Sequence, residues 1–139
     1  MKSTDLMIGD WVKSPHNSIA QIVEIVCEET NDEKFEYFVT LSDTFDFHIS
    51  EIFPIPLTTE ILKNNGIVFK HGLADNSYAV YYGEIEDFFI TIQLKNKSNQ
   101  IDVLVEKGDY SIIRVWNVEY VHQLQHALKL CGIEKEIVL

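Results

Sequence analysis

Positive charge is scarce in this chain of 139 residues. Eleven Lys and Arg stand against 22 Asp and Glu, which gives a formal net charge of −11, and Arg114 is the only arginine. A protein that neutralises nucleic-acid phosphates needs clustered Lys and Arg. The composition therefore predicts neither nucleic acid nor an anionic membrane as a partner, and it favours a basic protein partner or simple solubility.

Long apolar runs and paired cysteines are missing too. No apolar run approaches the roughly 20 residues of a membrane-spanning helix, and there is no charged start followed by an apolar stretch, as in a signal peptide. The two cysteines, Cys27 and Cys131, lie far apart and outside any CxxC pair. We expect a soluble, cytoplasmic protein with two buried free thiols and no cofactor.

The common signatures of enzymes are absent from the sequence as well. There is no nucleophile elbow, no glycine-rich phosphate loop, and no His, Asp and Ser set in a recognisable local context. Catalytic groups can also assemble from distant positions, so missing motifs alone decide little. On balance we expect a protein that is not an enzyme.

Short alternating segments fill the first half of the chain. Apolar and polar residues alternate through 35–41 and 45–49, which is typical of half-buried strands, and a long apolar strand at 18–29 leads into an acidic turn. Five short strands in about 57 residues, opened by Gly-Asp-Trp-Val, are similar to a small SH3-like barrel of the Sm, Tudor or KOW type. The rhythm predicts such a β-barrel over residues 1–57.

The alternation of apolar and polar residues ends at Thr58. This hydroxyl residue, followed by Glu60 and closed by Gly66, predicts a helix of about two turns. Alternating segments then predict an antiparallel meander with one covered face. The last helix is predicted from one apolar stripe, made of Val121, Leu124, Leu128 and Cys131. The fold class is therefore α+β, with a subdomain at 58–139 whose meander is covered by the last helix and which packs with the barrel as one body.

Aromatic residues on the first strands are candidates for a ligand site. The set comprises Trp11, Tyr37, Phe35, Phe45 and Phe47. With acidic neighbours, they could form a cage for a cationic ligand such as a methylated lysine. They equally suit an ordinary core, because one face of each strand needs apolar cover. Tyr81, Tyr82 and Trp116 on the second sheet equally suit a core or a surface patch that contacts a partner.

The segment 119–131 carries the sharpest polar candidate. Residues three and four apart are neighbours on a helix, so Glu119, His122 and His126 could converge as a carboxylate and two imidazoles. Zinc accepts such ligands but usually needs a further one, and none is evident. The alternative is that His122, Gln125 and Lys129 form a solvated stripe. We predict no metal. The candidate binding residues are Trp11, Tyr37, Glu119, His122, Gln125 and His126.

Three segments together resemble a family of small proteins of unknown function. They are DLMIGDWV near the start, PIPLTTEIL followed by Asn65-Gly66, and YVHQLQHALKLCG near the end. The combination is similar to proteins that phages and mobile elements of gut anaerobes carry, and it covers nearly the whole chain. Many members continue VHQLQ as an aromatic, Asn-rich helix ending in Thr-Gly, whereas this chain has HALKLCG, as a subset does. The resemblance implies that barrel and later sheet form one unit, and it implies no activity.

These observations favour a non-catalytic, acidic protein-interaction module of phage or mobile-element origin. Its partner would be a protein that the sequence does not identify, and a homodimer stays open. One alternative is a metal-dependent or small-ligand-binding enzyme that uses His122 and His126. A weaker alternative is a DNA mimic, which occupies a nucleic-acid site on another protein through its negative charge.

Overall fold

The computed structural model describes residues 5–43, 45–72, 77–95 and 100–139. Within these ranges the chain forms ten β-strands and two α-helices, and both sheets are antiparallel, which confirms the α+β class. The chain divides into two compact units, Met1–Ile55 (unit 1) and Pro56–Leu139 (unit 2). It stays a prediction that the chain has domains at 1–57 and 58–139 that pack as one body. Residues 1–4 of the first predicted domain lie outside the described ranges.

Unit 1 contains one five-stranded sheet in the order β4-β3-β2-β1-β5. Its strands are β1 (Trp11–Lys13), β2 (Ile19–Glu29), β3 (Phe35–Leu41), β4 (Asp46–His48) and β5 (Phe53–Pro54). A 3-10 turn, Ile49–Glu51, joins β4 to β5 and is capped by the imidazole of His48. The outermost described strands, β4 and β5, have three and two residues and do not pair with each other. The sheet is therefore not closed, and the predicted SH3-like barrel is not confirmed.

The core of unit 1 depends on a bulge in β2. Ile22 pairs with Leu41, and Ile25, three residues later, pairs with Val39, two residues earlier on β3. The extra residue keeps both pairs on the core face, because side chains otherwise alternate with a period of two. The buried cluster comprises Leu6, Val12, Ala20, Ile22, Val39, Leu41, Ile49 and Ile52.

Unit 2 contains the predicted meander, in the order β10-β9-β8-β7-β6. Its strands are β6 (Val68–Gly72), β7 (Tyr78–Ile85), β8 (Phe88–Lys95), β9 (Gln100–Lys107) and β10 (Tyr110–Val115). Ile90, Ile92 and Val103 are fully buried on one face. On the same face, a Cβ at Gly83 would lie 2.7 Å from the side chain of Ile67 and 3.0 Å from its Cα. Glycine is thus required for close approach at this point.

Two short helices complete unit 2. Helix α1 (Thr59–Asn64) begins as predicted, with the Thr58 hydroxyl accepting from the Ile61 N–H at 3.3 Å. Helix α2 (Val121–Leu130) buries the predicted apolar stripe except Cys131, which is half-buried. No helix among the described residues has the length and apolar character needed to span a membrane.

The last seven residues pack as a tail; their sequence allows either an edge strand or such a tail. Ile133 and Ile137 are buried, and no strand forms there. Buried Asn65 holds the tail: its amide donates to the carbonyl oxygens of Ile61 (2.7 Å) and Val138 (2.8 Å) and accepts from the Val138 N–H (2.9 Å). One side chain thereby satisfies backbone groups of α1 and of the tail.

Candidate functional site

The polar residues of α2 are mostly inside the protein. His122 is 2% exposed and Gln125 is 6% exposed, whereas His126 is half-buried and Glu119 is exposed. The two imidazole rings lie edge to face with centroids 5.7 Å apart. The Tyr120 ring stacks on His122 at 5.8 Å and 7°. The structure therefore brings the two histidines together, within an aromatic stack.

The interpretation of a solvated stripe is wrong for His122 and Gln125. The buried residues of α2 extend around more of the helix than one stripe, because positions 121, 122, 124 and 125 are all covered. Lys129 is exposed, as that interpretation expected. The part of the chain that the structure describes contains no group of three or more His, Cys, Asp and Glu able to hold a metal ion.

Gln123 has a role that the sequence did not reveal. Its side-chain oxygen accepts from the backbone N–H groups of Glu119 (2.7 Å) and Tyr120 (3.1 Å). These are the orphan donors that precede a helix, so the amide caps α2. A glutamine at the third helical position is the signal that could have indicated this cap.

The aromatic candidates of unit 1 do not form a single cage. Trp11 is half-buried and lies on the face of β1 opposite to buried Val12. Tyr37 lies on the other face of the sheet, in line with buried Val39. Rings do cluster around His16, whose centroid is 6.4 Å from that of Phe45 and 5.8 Å from that of Phe47.

The core interpretation holds only in part for these aromatics. Phe47 is half-buried and packs against the core cluster of unit 1. Phe35 is 64% exposed and Phe45 is 56% exposed, so neither is a core residue. Tyr37, at 37%, is also exposed. Three of the predicted aromatics are thus surface residues, and two of them, Phe35 and Tyr37, continue the core side of the sheet.

The hairpin of β2 and β3 extends beyond the core. Cys27 pairs with Tyr37, Glu28 with Glu36, and Glu29 with Phe35, and all six residues are exposed. The turn closes through a 2.7 Å bond from the Thr30 N–H to the Lys34 carbonyl oxygen, with Glu33 in the left-handed region at φ 57°. The apolar face that starts in the core therefore continues onto an exposed end.

The same hairpin end is strongly acidic. Residues 28–36 include five acidic residues and one lysine, Lys34. Glu28 and Glu36 are direct cross-strand partners. Like charges directly opposite each other on antiparallel strands destabilise the pair. Local folding energy therefore does not explain these two glutamates.

The thiols differ from the expectation of two buried groups. Cys27 is exposed on the hairpin, and Cys131 is half-buried; both are free. A side-chain hydrogen bond with Cys27, followed by charge repulsion from the thiolate, raises the pKa of Tyr37 above its ordinary 10.0. Burial raises the pKa of the Cys131 thiol.

The aromatic set of unit 2 is divided between two faces of its sheet. Tyr81 contacts Phe69, with ring centroids 5.8 Å apart, and Tyr82 stacks on Phe89 at 6.1 Å on the opposite face. The exposed Trp116 ring lies beside the Arg114 guanidinium, whose carbon is 4.9 Å from the ring centroid. These residues form surface patches rather than one site.

A cluster of polar side chains lies near the indole of Trp116. The Lys95 ammonium lies 3.2 Å from Oδ2 of buried Asp102, whose other oxygen accepts from the Gln100 amide at 3.1 Å. The cavity beside these residues has about 20 Å³. That volume is close to the minimum for one water molecule, so it holds no organic ligand.

Comparison with known proteins adds no assignment. No protein-family model, curated protein or solved structure matches the chain. The resemblance to proteins of phages and mobile elements therefore stays a prediction from the three sequence segments.

Proposed function

We propose that the chain is a non-catalytic, acidic protein-interaction module whose partner is a basic protein surface. The end of the β2–β3 hairpin would be the contact site. The observation that carries the proposal is the direct pairing of Glu28 with Glu36 on a hairpin end whose other face exposes the rings of Phe35 and Tyr37. The pair is unfavourable in the free protein, and cationic side chains of a partner would relieve it.

Charge and apolar surface serve different purposes in such a contact. The five acids of residues 28–36 would guide a basic partner and raise its association rate. Phe35 and Tyr37 would supply the apolar area, because exposed aromatic side chains are the usual anchors of protein interfaces. The combination supports binding of a protein rather than of a small metabolite.

Two finer features belong to the same proposal. We infer an SH3-like barrel for unit 1, supported by its strand order β4-β3-β2-β1-β5 and by the 3-10 turn before β5. A cytoplasmic location and a phage or mobile-element origin are also proposed; free Cys27 and Cys131 support the former. The sequence motifs alone support the latter.

The test compares three baits in affinity capture from a bacterial extract. One is the native chain, one carries Glu28→Lys and Glu36→Lys, and the control carries Glu134→Lys and Glu136→Lys in the tail, with the same change of net charge. We expect a basic protein that the native and control baits retain and the hairpin variant loses. The purified partner should bind the hairpin variant at least tenfold more weakly, and its affinity should fall with added salt.

Other outcomes contradict the proposal. Equal capture by the hairpin and control variants would remove the hairpin from the interface. An acidic partner, or turnover of a substrate by the purified chain, would contradict the proposed class. If the partner binds DNA and DNA competes with the chain for it, the DNA-mimic alternative gains support.

A further inference from the structure

The sheet of unit 1 has an outer face, opposite to its core, on which side chains form rows across β2, β3 and β4. Residues that pair directly across antiparallel strands lie on the same face, and the next pair on that face follows two residues along. Thr40 lies between buried Val39 and Leu41 on β3, so its side chain is on the outer face. The register from Thr40 therefore determines which residues share this face.

Three consecutive rows occupy this part of the outer face, and they are acidic, apolar and acidic in turn. From the core towards the turn of the hairpin, the rows are Glu24–Thr40–Asp46, Val26–Phe38–His48 and Glu28–Glu36. Two contacts agree with this arrangement. The Thr40 hydroxyl donates to Oε2 of Glu24 at 3.4 Å, and the Phe38 and His48 rings meet edge to face with centroids 5.4 Å apart. Four carboxylates thus flank one apolar row.

The rows are accessible to a partner. All four carboxylate residues are exposed, Val26 is 36% exposed, and Phe38 and His48 are half-buried. Two residues along a strand advance the chain by about 6.8 Å, so the two acidic rows lie about 14 Å apart with the apolar row midway between them. This spacing is the dimension that a bound segment has to match.

The charge of this face defines the chemistry of its partner. Residues 19–29, 35–41 and 46–48 contain five acidic residues and no lysine or arginine, so these strands supply no compensating cation. The same face of a second copy, or a nucleic acid, would bring further negative charge and would be repelled. Lys or Arg side chains placed on both sides of an apolar side chain are complementary to the three rows.

A helix suits this face better than an extended segment does. A single strand laid on a sheet face would leave its N–H and C=O groups without partners there, whereas a helix satisfies these groups internally. Helices also commonly cover one face of an antiparallel sheet. Positions i, i+4 and i+8 lie along one side of a helix and span about 12 Å. The length of Lys and Arg side chains extends this span to the two acidic rows.

We propose that the outer face of β2, β3 and β4 binds an amphipathic helix of the basic partner. The helix places an apolar side chain on Val26 and Phe38, and Lys or Arg four residues before and after it reach the two acidic rows. Phe35 and Tyr37, on the other face of the hairpin, are left for a different part of the same partner. This inference rests on the proposed function, and it names the face and the kind of segment in the contact.

The test uses displayed Ala-rich peptides of about 16 residues, long enough to form a helix, with randomised positions along one side. With the native chain as bait, we expect enriched peptides to carry an apolar residue with Lys or Arg four residues before and after it. For a synthetic copy, Glu24→Gln with Asp46→Asn should weaken binding about two- to tenfold at about 0.1 M salt and less at about 1 M. Glu28→Gln with Glu36→Gln should do the same. Val26→Thr keeps the β-branched shape and should weaken binding about three- to tenfold, because a hydroxyl replaces a methyl group in the apolar row.

Matched variants separate this face from general effects. Glu134→Gln with Glu136→Gln removes two charges from the tail, and Val68→Thr repeats the methyl-to-hydroxyl change at an exposed strand position of unit 2. Phe35→Ala removes a ring that is 64% exposed on the other face of the same hairpin. All three should leave the affinity for the peptide unchanged.

Three results would overturn the inference. The first is that no basic peptide is enriched. The second is that Phe35→Ala costs as much affinity as Val26→Thr, or that loss of the Glu24 and Asp46 charges has no effect, since the peptide then binds elsewhere. The third is that the peptide-free chain forms a dimer that Val26→Thr dissociates, since a second copy then covers the face.

The captured basic partner separates this inference from the proposed function. A partner that loses affinity in Glu28→Gln with Glu36→Gln, but keeps it in Glu24→Gln with Asp46→Asn, would leave the hairpin contact standing and overturn only the helix on this face. A partner that keeps its affinity in both variants contradicts the proposed function as well.

Discussion

Replacing Glu36 by lysine should stabilise unit 1 while it weakens the proposed partner contact. Glu36 is the direct cross-strand neighbour of Glu28 on the exposed end of the hairpin. In Glu36→Lys the repulsion disappears and an opposite-charge pair replaces it. The variant therefore tests whether the two glutamates are retained against the local folding energy.

The magnitude follows from the exposure of the pair. An opposite-charge pair across two strands stabilises the fold by roughly 0.2–1 kcal/mol, and a like-charge pair destabilises it by a similar amount. Reversing one of the two charges therefore changes the free energy of unfolding by up to roughly twice that amount. Both side chains are exposed, and solvent screening reduces the effect. We expect the free energy of unfolding of unit 1 to rise by about 0.5–1 kcal/mol at low salt. The gain should shrink as the screening length falls from about 10 Å at 0.1 M salt to about 3 Å at 1 M.

The assay is urea unfolding at two salt concentrations, because urea is uncharged. The only two tryptophans are Trp11 in unit 1 and Trp116 in unit 2, so a Trp116→Phe background makes fluorescence report on unit 1 alone. Glu29→Lys is the matched control: it makes the same charge change on the same hairpin, opposite Phe35 instead of a carboxylate. An equal gain in Glu29→Lys, or no gain in Glu36→Lys, would refute the argument from direct pairing.

Three further predictions concern single contacts. Gly83→Ala should lower the unfolding free energy of unit 2 by about 1–3 kcal/mol, measured by Trp116 fluorescence, because the added Cβ overlaps facing backbone and side-chain atoms. Asn65→Leu should cost about 1–3 kcal/mol and speed amide exchange at Val138, since both hydrogen bonds to the tail are lost. Tyr37 should ionise above pH 10.0 in a 295 nm titration corrected with Tyr37→Phe, and Cys27→Ala should lower that midpoint. Because the folded pKa is raised, this hydrogen bond stabilises the fold below pH 10.0 and is lost as pH rises through the folded value.

Local signals explain which elements the sequence predicted well. The start and end of α1 follow from the Thr58 cap and from Gly66, whose φ of 80° suits glycine. The meander followed from alternation in each strand and short connections between neighbours. In each case the determining residues are adjacent in sequence, so no distant contact is needed to recognise them.

The wrong predictions concern residues whose burial depends on contacts with residues distant in sequence. Apolar and polar residues alternate along β3 in the same way at exposed Phe35 as at buried Val39. This alternation shows which face of the strand a residue lies on, but it does not show where along the strand the core stops. Burial of Cys27 was wrong for that reason. His122 and Gln125 are covered although they are polar, which the stripe of α2 alone does not indicate. The candidate residues therefore included Tyr37 of the hairpin as well as residues of the helix, but the extension of the hairpin beyond the core appears only once strands are paired.

The distribution of charge between the units supports the proposed contact of the hairpin with a basic partner. Residues 1–55 contain eleven acidic residues and three lysines, whereas residues 56–139 contain eleven acidic residues and eight basic ones. A uniform excess of acid would serve solubility alone, and it would not require glutamates to face each other on one hairpin. Five of the acids of unit 1 are instead concentrated in residues 28–36, on the hairpin end that also exposes Phe35 and Tyr37. Because affinity for a charged partner depends on local rather than net charge at physiological salt, the acids of this hairpin end would guide a basic partner more than the net charge of −11 spread over the whole chain.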